Sequence, residues 1–328
     1  MLDRSGSLGT KPTKTAMALF SKRQNIRDNK IENVGRWPIR LTDFYLVDDY
    51  EFPPSHYTEI FLVRSGHFLH ETETGAQAVR AGTAMVHHPS SRHVIKQPEQ
   101  VRLTRVRFLP EWFVGDFSSV MDAPDVLSLF FARHWFQVPS DTNLQVFTVR
   151  ESQLPFLDSA FELLAQSLRT GRHIEPISQV TLLQIMLILG DEYHVYWRGG
   201  NRLPITEGVA TSLEIIERAV ASGRRLPLKQ LQIAADGGSQ DEISQDLRKH
   251  VGMTLIDYVQ SRRLQHAARK LLATNDDPAE IAEAVVLSDA SQFEKSFETA
   301  FGFLPQVYRE KFGAAPRPVA GTPGESAI

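Results

Sequence analysis

The sequence predicts an α+β fold in which a β-sandwich or β-barrel precedes a pair of helices and an all-α domain. Between residues 36 and 110, short apolar runs alternate with glycine and proline turns, which is the pattern of an antiparallel sheet. From residue 151 onward the apolar residues recur at the spacing of amphipathic helices. The 328 residues, of which 42% are apolar and 23% charged, are enough for about two domains.

The composition excludes several classes of protein and site. With no cysteine, the chain forms neither disulfides nor cysteine-ligated zinc or iron–sulfur sites. No apolar run approaches about 18 residues, so we expect no membrane span. The N-terminal residues also lack the apolar stretch of a secretory signal. We therefore expect a cytoplasmic protein.

Charge is distributed unevenly along the chain, whose net charge is −3. Residues 1–35 are basic and lack apolar periodicity, which predicts a mobile arm. Residues 314–328 are rich in proline, glycine and alanine, the composition of a disordered tail. Residues 205–313 hold 13 basic and 16 acidic residues, whereas duplex DNA normally selects a basic module.

Residues 36–150 are expected to form the sheet-rich first domain. Strands are predicted in the segments HYTEIFLVRSGHF and VRLTRVRFLP, which are closed by Ser-Gly, Gly or Pro turns. The aromatic residues of this region either form a plain core or line a ligand cavity: Phe44, Tyr45, Phe52, Tyr57, Phe61, Phe68 and Phe108.

Two helices are expected within residues 151–198, followed by a glycine-rich linker at 199–206. The apolar stripe of the first helix contains Leu154, Leu157, Phe161, Leu164 and Leu168. The stripe of the second helix contains Val180, Leu183, Met186, Ile188 and Leu189. These helices either pack on their own sheet or provide a dimer surface, and the pattern leaves both possibilities open.

The strongest local signal is a pair of short helices near the C-terminus. Asp277 can cap a helix that begins with Pro278, and Ser288-Asp289 can cap the next helix. The apolar face of that second helix contains Phe293, Phe297 and Phe301. This arrangement predicts a helix-turn-helix unit whose second helix enters the major groove. A similar pair occurs at Leu228–Leu247, although capped helical pairs also occur in proteins that never bind DNA.

Residues 252–312 resemble the C-terminal domain of the AraC/XylS-type bacterial transcription regulators. The matching residues are Arg263-Leu264, Ala267, Leu271-Leu272, Ile281-Ala282-Glu283, Ser288-Asp289, Ser291, Phe293, Phe297, Phe301-Gly302, Pro305 and Tyr308-Arg309. The resemblance implies that residues 207–313 form a double helix-turn-helix DNA-binding domain. Its two units would be joined by a long helix over Thr254–Ala273, and each would read one major-groove segment on the same face of DNA.

The N-terminal region also resembles this family, although more loosely. Glu59 and Gly66 have the spacing of the first cupin motif, and Gly82, Pro89 and His93 match the glycine, proline-turn, histidine segment. The resemblance implies that residues 36–150 form a cupin-like sensor barrel and that the helices in 151–198 mediate dimerisation.

The residues expected to contact DNA are Ser239, Gln240, Gln245, Arg248, Lys249, Arg262, Ser291, Gln292 and Lys295. Glutamine can pair with adenine, and lysine can donate to guanine or phosphate. The basic residues between Arg248 and Lys270 form either a phosphate-contacting patch or an ordinary solvated helix face.

The chain departs from the family pattern at several positions of this domain. Asp241, Glu242 and Asp246 make the first recognition helix acidic, which we expect to weaken its binding to DNA. Val286 stands where the second turn usually has glycine, so a positive φ there would strain the backbone. Leu304 stands where the last helix usually has a serine or threonine cap.

Four polar residues are expected to line a ligand pocket in the barrel: His56, Glu59, His88 and His93. Metal-binding cupins place a His-x-His pair before the glutamate, and here Pro54 and Ser55 precede His56 instead. We therefore expect an organic ligand and neither a bound metal nor another cofactor. No nucleophile–base arrangement or phosphate-binding loop is evident, so no catalytic residue is expected.

The sequence thus predicts a homodimeric bacterial transcription regulator whose partners are promoter DNA, RNA polymerase and a small-molecule ligand. Ligand binding would shift the population of conformations that span the DNA half-sites. Two alternatives remain open. One is a degenerate family member that acts mainly through a protein or nucleotide partner, and the other is a metal-dependent cupin enzyme.

Overall fold

A computed structural model of the chain describes residues 38–72, 75–89, 92–116, 123–131, 144–170, 174–196, 207–234, 239–287 and 289–313. The predicted arm (1–35), linker (199–206) and tail (314–328) lie outside these ranges. The described residues form an antiparallel sheet followed by helices, which confirms the α+β prediction.

The N-terminal sheet domain contains seven strands among the residues that the structure describes. The strands are β1 (Ile39–Leu46), β2 (Tyr50–Phe52), β3 (Thr58–Thr72), β4 (Gly75–Arg80), β5 (Thr83–His87), β6 (His93–Phe108) and β7 (Leu144–Thr148). Their order is β1-β6-β3-β5-β7, with β2 also paired to β6 and β4 to β3, and every pairing is antiparallel.

Successive side chains of each strand point to opposite faces of the sheet, and both faces are apolar here. On the outer face, Ile60 of β3 lies between Val86 of β5 and Val106 of β6. The inner face contains a separate cluster: Phe44, Leu46, Phe52, Phe61, Val63, Phe68, Val79, Met85, Ile95, Val101 and Leu103. Most of the predicted aromatic core residues are therefore buried, whereas Tyr45 is exposed.

Two helices, α1 (Leu154–Thr170) and α2 (Ile174–Tyr196), follow the sheet. The predicted stripe of α1 is buried, since Leu157, Phe161, Leu164 and Leu168 join the core that covers the outer sheet face. The stripe of α1 therefore packs on its own sheet, which is the first of the two alternatives for these helices. The large apolar side chains that these helices leave exposed are Phe156, Leu163, Ile177, Val180 and Leu187.

The C-terminal domain is all-α among its described residues. Its helices are α3 (Glu207–Ala221), α4 (Leu228–Ala234), α5 (Gln240–Val251), α6 (Leu255–Ala273), α7 (Pro278–Ala284), α8 (Ala290–Phe301) and α9 (Pro305–Phe312). The pairs α4–α5 and α7–α8 are the two predicted helix-turn-helix units, and α6 is the long helix that joins them, with Thr254 as its N-cap. None of the described helices is long and apolar enough to span a membrane.

The second helix-turn-helix unit has the predicted caps and an unusual turn. Asp277 accepts a hydrogen bond from the Ala279 amide at the start of α7, and Asp289 accepts one from the Gln292 amide at the start of α8. Val286 adopts a φ of 62°, the left-handed region that favours glycine. The Leu287 amide donates to the Ala282 carbonyl, which closes α7 in a Schellman-type turn. The turn therefore keeps its left-handed geometry despite the β-branched side chain.

Apolar and aromatic contacts join the two domains. The outer sheet face, α1, α2 and the C-terminal helices share one continuous core. The Phe312 ring lies 6.0 Å from the Tyr57 ring and 5.8 Å from the His56 ring, measured between centroids. The Tyr308 hydroxyl of α9 lies 3.4 Å from a carboxylate oxygen of Glu111. The C-terminal helical domain is thus docked directly on the sheet domain.

Candidate nucleic-acid interface

The second recognition helix, α8, separates its apolar and polar residues onto opposite faces. Phe293, Phe297 and Phe301 are buried, and the Phe297 ring packs 5.4 Å from the Tyr308 ring of α9. The predicted DNA-contacting residues on the other side are exposed: Ser291, Gln292 and Lys295. This geometry fits a helix that lies with its polar side in the major groove.

The first recognition helix, α5, has the same division. Ile243 and Leu247 are buried, whereas the predicted contact residues on the other side are exposed: Gln240, Gln245, Arg248 and Lys249. A groove of about 560 Å³ separates the two units. Gln240 lines one side of this groove and Gln292 the other, so the exposed ends of both recognition helices open onto the same space.

Ser239 and Glu242 together cap the start of α5, a structural role that was not predicted for them. The Ser239 hydroxyl accepts a hydrogen bond from the Glu242 amide at 3.2 Å. The Glu242 carboxylate accepts one from the Ser239 amide at 2.6 Å, which completes a capping box. These hydrogen bonds lower the pKa of the Glu242 carboxyl. The spacing Ser-x-x-Glu in the sequence is the signal that predicts this cap.

The predicted phosphate contact of Arg262 is wrong in this structure. Its side chain is fully buried, with Nε and Nη2 at 2.6 and 2.8 Å from the two carboxylate oxygens of Glu217. The Gln265 side chain is a further partner. Arg262 faces inward because it lies on the side of α6 that packs against α3, so it holds the domain together.

The basic patch predicted between Arg248 and Lys270 is consequently smaller than the sequence suggests. His266 is buried, and burial together with the nearby Arg262 lowers its pKa to about 3, so its imidazole is neutral. Arg263 is half-buried, and its guanidinium donates to the Val286 carbonyl at 3.4 Å. Arg248, Lys249 and Lys270 remain exposed and Arg269 half-buried, and these residues are the ones available to phosphates.

The four residues predicted for the ligand pocket do not all meet. Glu59 and His93 lie together inside the sheet domain, with 3.9 Å between a carboxylate oxygen and Nε2. His88 is buried and directly follows β5, which ends at His87. His56 is exposed and lies at the domain boundary, where its ring is 5.0 Å from the Phe303 ring.

Two histidines that the prediction omitted, His70 and His87, lie beside His93. His70 Nε2 is 3.1 Å from His93 Nδ1, and the His87 and His93 rings stack at 3.6 Å between centroids. Burial lowers the pKa of all three imidazoles, to about 3 for His70. We call these residues the histidine cluster. Their proximity depends on strand register, which sequence spacing alone does not give.

Glu59 links the histidine cluster to a buried arginine. Arg105 Nη1 lies 3.6 Å from a Glu59 carboxylate oxygen, and the Ser55 hydroxyl lies 3.4 Å from the same oxygen. The Arg105 guanidinium also lies 4.5 Å from the centroid of the Phe44 ring. Sequence reasoning did not single out Arg105, which alternates along β6 with the outward-facing Val106.

The C-terminal sequence matches a family model described as a helix-turn-helix domain over residues 235–311. The HTH-type transcriptional activator RhaR of Mannheimia succiniciproducens is 20% identical over 259 residues, which cover 78% of this chain and 86% of RhaR. The chain is therefore similar to HTH-type transcription regulators, in line with the resemblance of residues 252–312 to the AraC/XylS type. The match to RhaR extends well beyond the helix-turn-helix domain, so it includes much of the sheet domain of this chain.

Two further likenesses accompany this similarity to HTH-type regulators. The HTH-type transcriptional activator AarP of Providencia stuartii is 37% identical over 62 residues, covering 19% of this chain and 46% of AarP. A crystal structure of unsaturated fatty acid bound ToxT from Vibrio cholerae covers 86% of this chain and 98% of ToxT, with 11% identity and a TM-score of 0.42. The similarity to HTH-type regulators is carried by the domain match and by RhaR.

Proposed function

We propose that this chain is a sequence-specific DNA-binding transcription regulator, controlled by a small molecule that binds its sheet domain. The observation that carries the proposal is the pair of recognition helices, α5 and α8, whose polar faces are exposed on one groove. A rigid pair of this kind suits two successive major-groove segments on one face of DNA. The proposed target is promoter DNA, and we propose that the chain acts in the bacterial cytoplasm.

Control by a ligand is supported by the direct contact between the domains. The Tyr308 hydroxyl and Glu111, and the rings of Phe312 and Tyr57, join α9 to the sheet domain. A ligand that binds one packing of the sheet domain better than another shifts the position or freedom of the DNA-binding domain. The contact with RNA polymerase expected of a regulator is part of the same proposal.

We also propose that the regulator is a homodimer, and the exposed stripe of α2 supports this. Ile177, Val180 and Leu187 lie one turn or two turns apart and are 36%, 69% and 45% exposed. Replacing Val180 and Leu187 together with glutamate should give monomers in sedimentation experiments, whereas Gln166→Glu on α1 should leave the dimer intact. A folded double variant that stays dimeric would place the interface elsewhere.

Genomic footprinting of the tagged chain, with and without candidate small molecules, tests the proposed function. We expect protected promoter sites whose occupancy changes with one ligand. Protection should fall strongly in a Gln292→Ala/Lys295→Ala variant that remains folded.

A partner-binding function is the second candidate, because acidic side chains accompany both recognition helices. Asp241 and Glu242 lie in the first turn of α5, and Glu294 and Glu298 are exposed on α8. If no genomic site is protected under any condition, capture of a protein partner through these faces becomes the better interpretation. RhaR and AarP, by their names, are transcriptional activators, so the enzyme alternative has no comparable support.

A further inference from the structure

Three histidines from three different strands converge in the interior of the sheet domain. His70 lies in β3, His87 ends β5 and His93 begins β6, and each is at most 2% exposed. One ring nitrogen from each residue lies within 4.8 Å of the others. Antiparallel pairing produces this convergence, because His87 lies opposite Glu59 and His70 lies opposite Ile95.

The hydrogen bonds of the histidine cluster do not satisfy its ring nitrogens. His70 Nε2 and His93 Nδ1 can share one hydrogen bond at 3.1 Å. His70 Nδ1, both nitrogens of His87 and His93 Nε2 are buried and have no hydrogen-bond partner among the described residues. Native structures rarely leave so many adjacent polar atoms unsatisfied, and binding of an ion at the site is one explanation for such a group.

The chemistry of the cluster suits a transition-metal ion. A neutral imidazole binds a metal through a ring-nitrogen lone pair, and the three rings bring one nitrogen each to the same place. Imidazole nitrogen suits zinc, copper, iron and nickel, whereas calcium and magnesium prefer oxygen ligands.

We propose that His70, His87 and His93 bind one divalent first-row transition-metal ion in the interior of the sheet domain. Two nitrogens bound to one such ion at about 2.0–2.1 Å are separated by about 3.3 Å in a tetrahedral site. His70 Nε2 and His93 Nδ1, at 3.1 Å, already have nearly this separation, and a His87 ring nitrogen lies within 4.8 Å of both.

Glu59 then acts as a positioning residue. With Nδ1 of His93 bound to the ion, the other nitrogen, Nε2, lies 3.9 Å from the Glu59 carboxylate. A carboxylate behind a metal-bound histidine fixes the ring orientation and raises its basicity. Arg105, at 3.6 Å from Glu59, holds that carboxylate from the other side.

This proposal revises the expectation that the barrel contains no metal. That expectation rested on the missing His-x-His pair before Glu59, and Pro54 and Ser55 do occupy those positions. In the structure, His70 and His87 come from other strands instead. Of the residues at this site, only His93 and Glu59 belong to the cupin motifs.

The test uses the full chain without a histidine tag, stripped with EDTA and dialysed against micromolar Zn²⁺. We expect about one Zn²⁺ per chain by mass spectrometry of the metal, and visible absorption bands of nitrogen-bound Co²⁺ when Co²⁺ is substituted. Zinc should also raise the melting temperature, because the ion would cross-link β3, β5 and β6. These measurements need no DNA, so they are independent of the proposed function.

Matched variants locate the site. Glu59→Gln should weaken Zn²⁺ binding about 10- to 100-fold, and His70→Gln and His87→Gln by more than that. His67→Gln is the control, because His67 also lies on β3 but its side chain is 62% exposed. If the histidine and Glu59 variants unfold, zinc binding by the wild-type chain still tests the proposal. Less than one tenth of a zinc ion per chain, or zinc retained equally by a folded His70→Gln/His87→Gln variant, would overturn the proposal.

Discussion

Arg262 and Glu217 form a buried ion pair that joins the linker helix α6 to α3. Two guanidinium nitrogens lie 2.6 and 2.8 Å from the two carboxylate oxygens, and the Tyr258 hydroxyl donates to the same carboxylate at 2.7 Å. Because α6 joins the two helix-turn-helix units, this ion pair helps to fix the position of α6 within the domain. Removing one partner would leave an uncompensated charge in the core.

Glu217→Ala should therefore destabilise the DNA-binding domain by about 3–5 kcal/mol in urea unfolding. Glu214→Ala is the matched control on the same helix, since Glu214 is exposed and pairs with Arg218 only at the surface. We expect the control to cost less than about 0.5 kcal/mol. Equal losses for the two variants would contradict the structural role of the pair.

His266 should make the domain less stable in mild acid. Burial lowers its folded-state pKa to about 3, although the Glu217 carboxylate lies 4.0 Å away, whereas an unfolded histidine titrates near 6.5. The unfolded chain therefore binds the proton first, and stability falls as the pH drops from about 6.5 towards 3. His266→Gln should flatten this dependence between pH 7 and 5 in urea unfolding, compared with wild type. An unchanged slope would show that His266 binds protons equally in the folded and unfolded states, which contradicts its lowered pKa.

The second recognition helix should provide most of the base contacts. On a DNA site identified by footprinting, Gln292→Ala and Lys295→Ala should each weaken binding by about 1–3 kcal/mol in anisotropy titrations. Gln306→Ala is the control, because this glutamine is exposed on α9 outside the recognition helices. If Gln292→Ala and Lys295→Ala bind as tightly as this control, α8 does not read the bases.

Two neighbouring carboxylates in α5 should have different effects when removed. Asp241→Ala should strengthen DNA binding by about two- to five-fold at low salt, since it removes a charge that repels phosphate, and the gain should fade at high salt. Glu242→Ala removes a similar charge but also breaks the capping box, so it should cost about 1 kcal/mol of stability. Weaker DNA binding by a folded Asp241→Ala variant would indicate a base contact by this carboxylate.

Val286→Gly should stabilise the second unit. Its φ of 62° is strained for a β-branched residue and natural for glycine, so relief of about 1–3 kcal/mol is offset in part by the added chain entropy of glycine. We expect a net gain of about 0.5–1.5 kcal/mol in urea unfolding. Val286→Ala keeps a Cβ at the strained φ, so a gain equal to that of glycine would place the cause in side-chain packing.

The sequence predicts the helices and caps well because they depend on local spacing. Asp277, Pro278 and Asp289 occupy the positions that helix starts require, and the three phenylalanines of α8 share the buried face. Local spacing does not predict the role of Arg262. A basic residue within a basic segment suggests an exposed phosphate contact, and its buried partner Glu217 lies on another helix.

Long-range pairing also explains why the histidine cluster escapes prediction. His70 and His93 are distant in sequence, and they meet because β3 pairs with β6 in a register that no local motif encodes. Bulges between Val63 and Leu69 shift that register, so even a correct assignment of strands would not have aligned the two rings.

Selection of binding sites from random-sequence duplex DNA by the full chain tests the central claim most directly. Two helix-turn-helix units on one linker helix predict an enriched motif with two conserved blocks, about 10–10.5 base pairs apart from centre to centre. Disruption of α8 by Gln292→Ala/Lys295→Ala should erase one block and leave the other weakly enriched. The absence of any enriched sequence, with the chain folded and its ligand supplied, would contradict the assignment of the C-terminal domain as a reader of DNA.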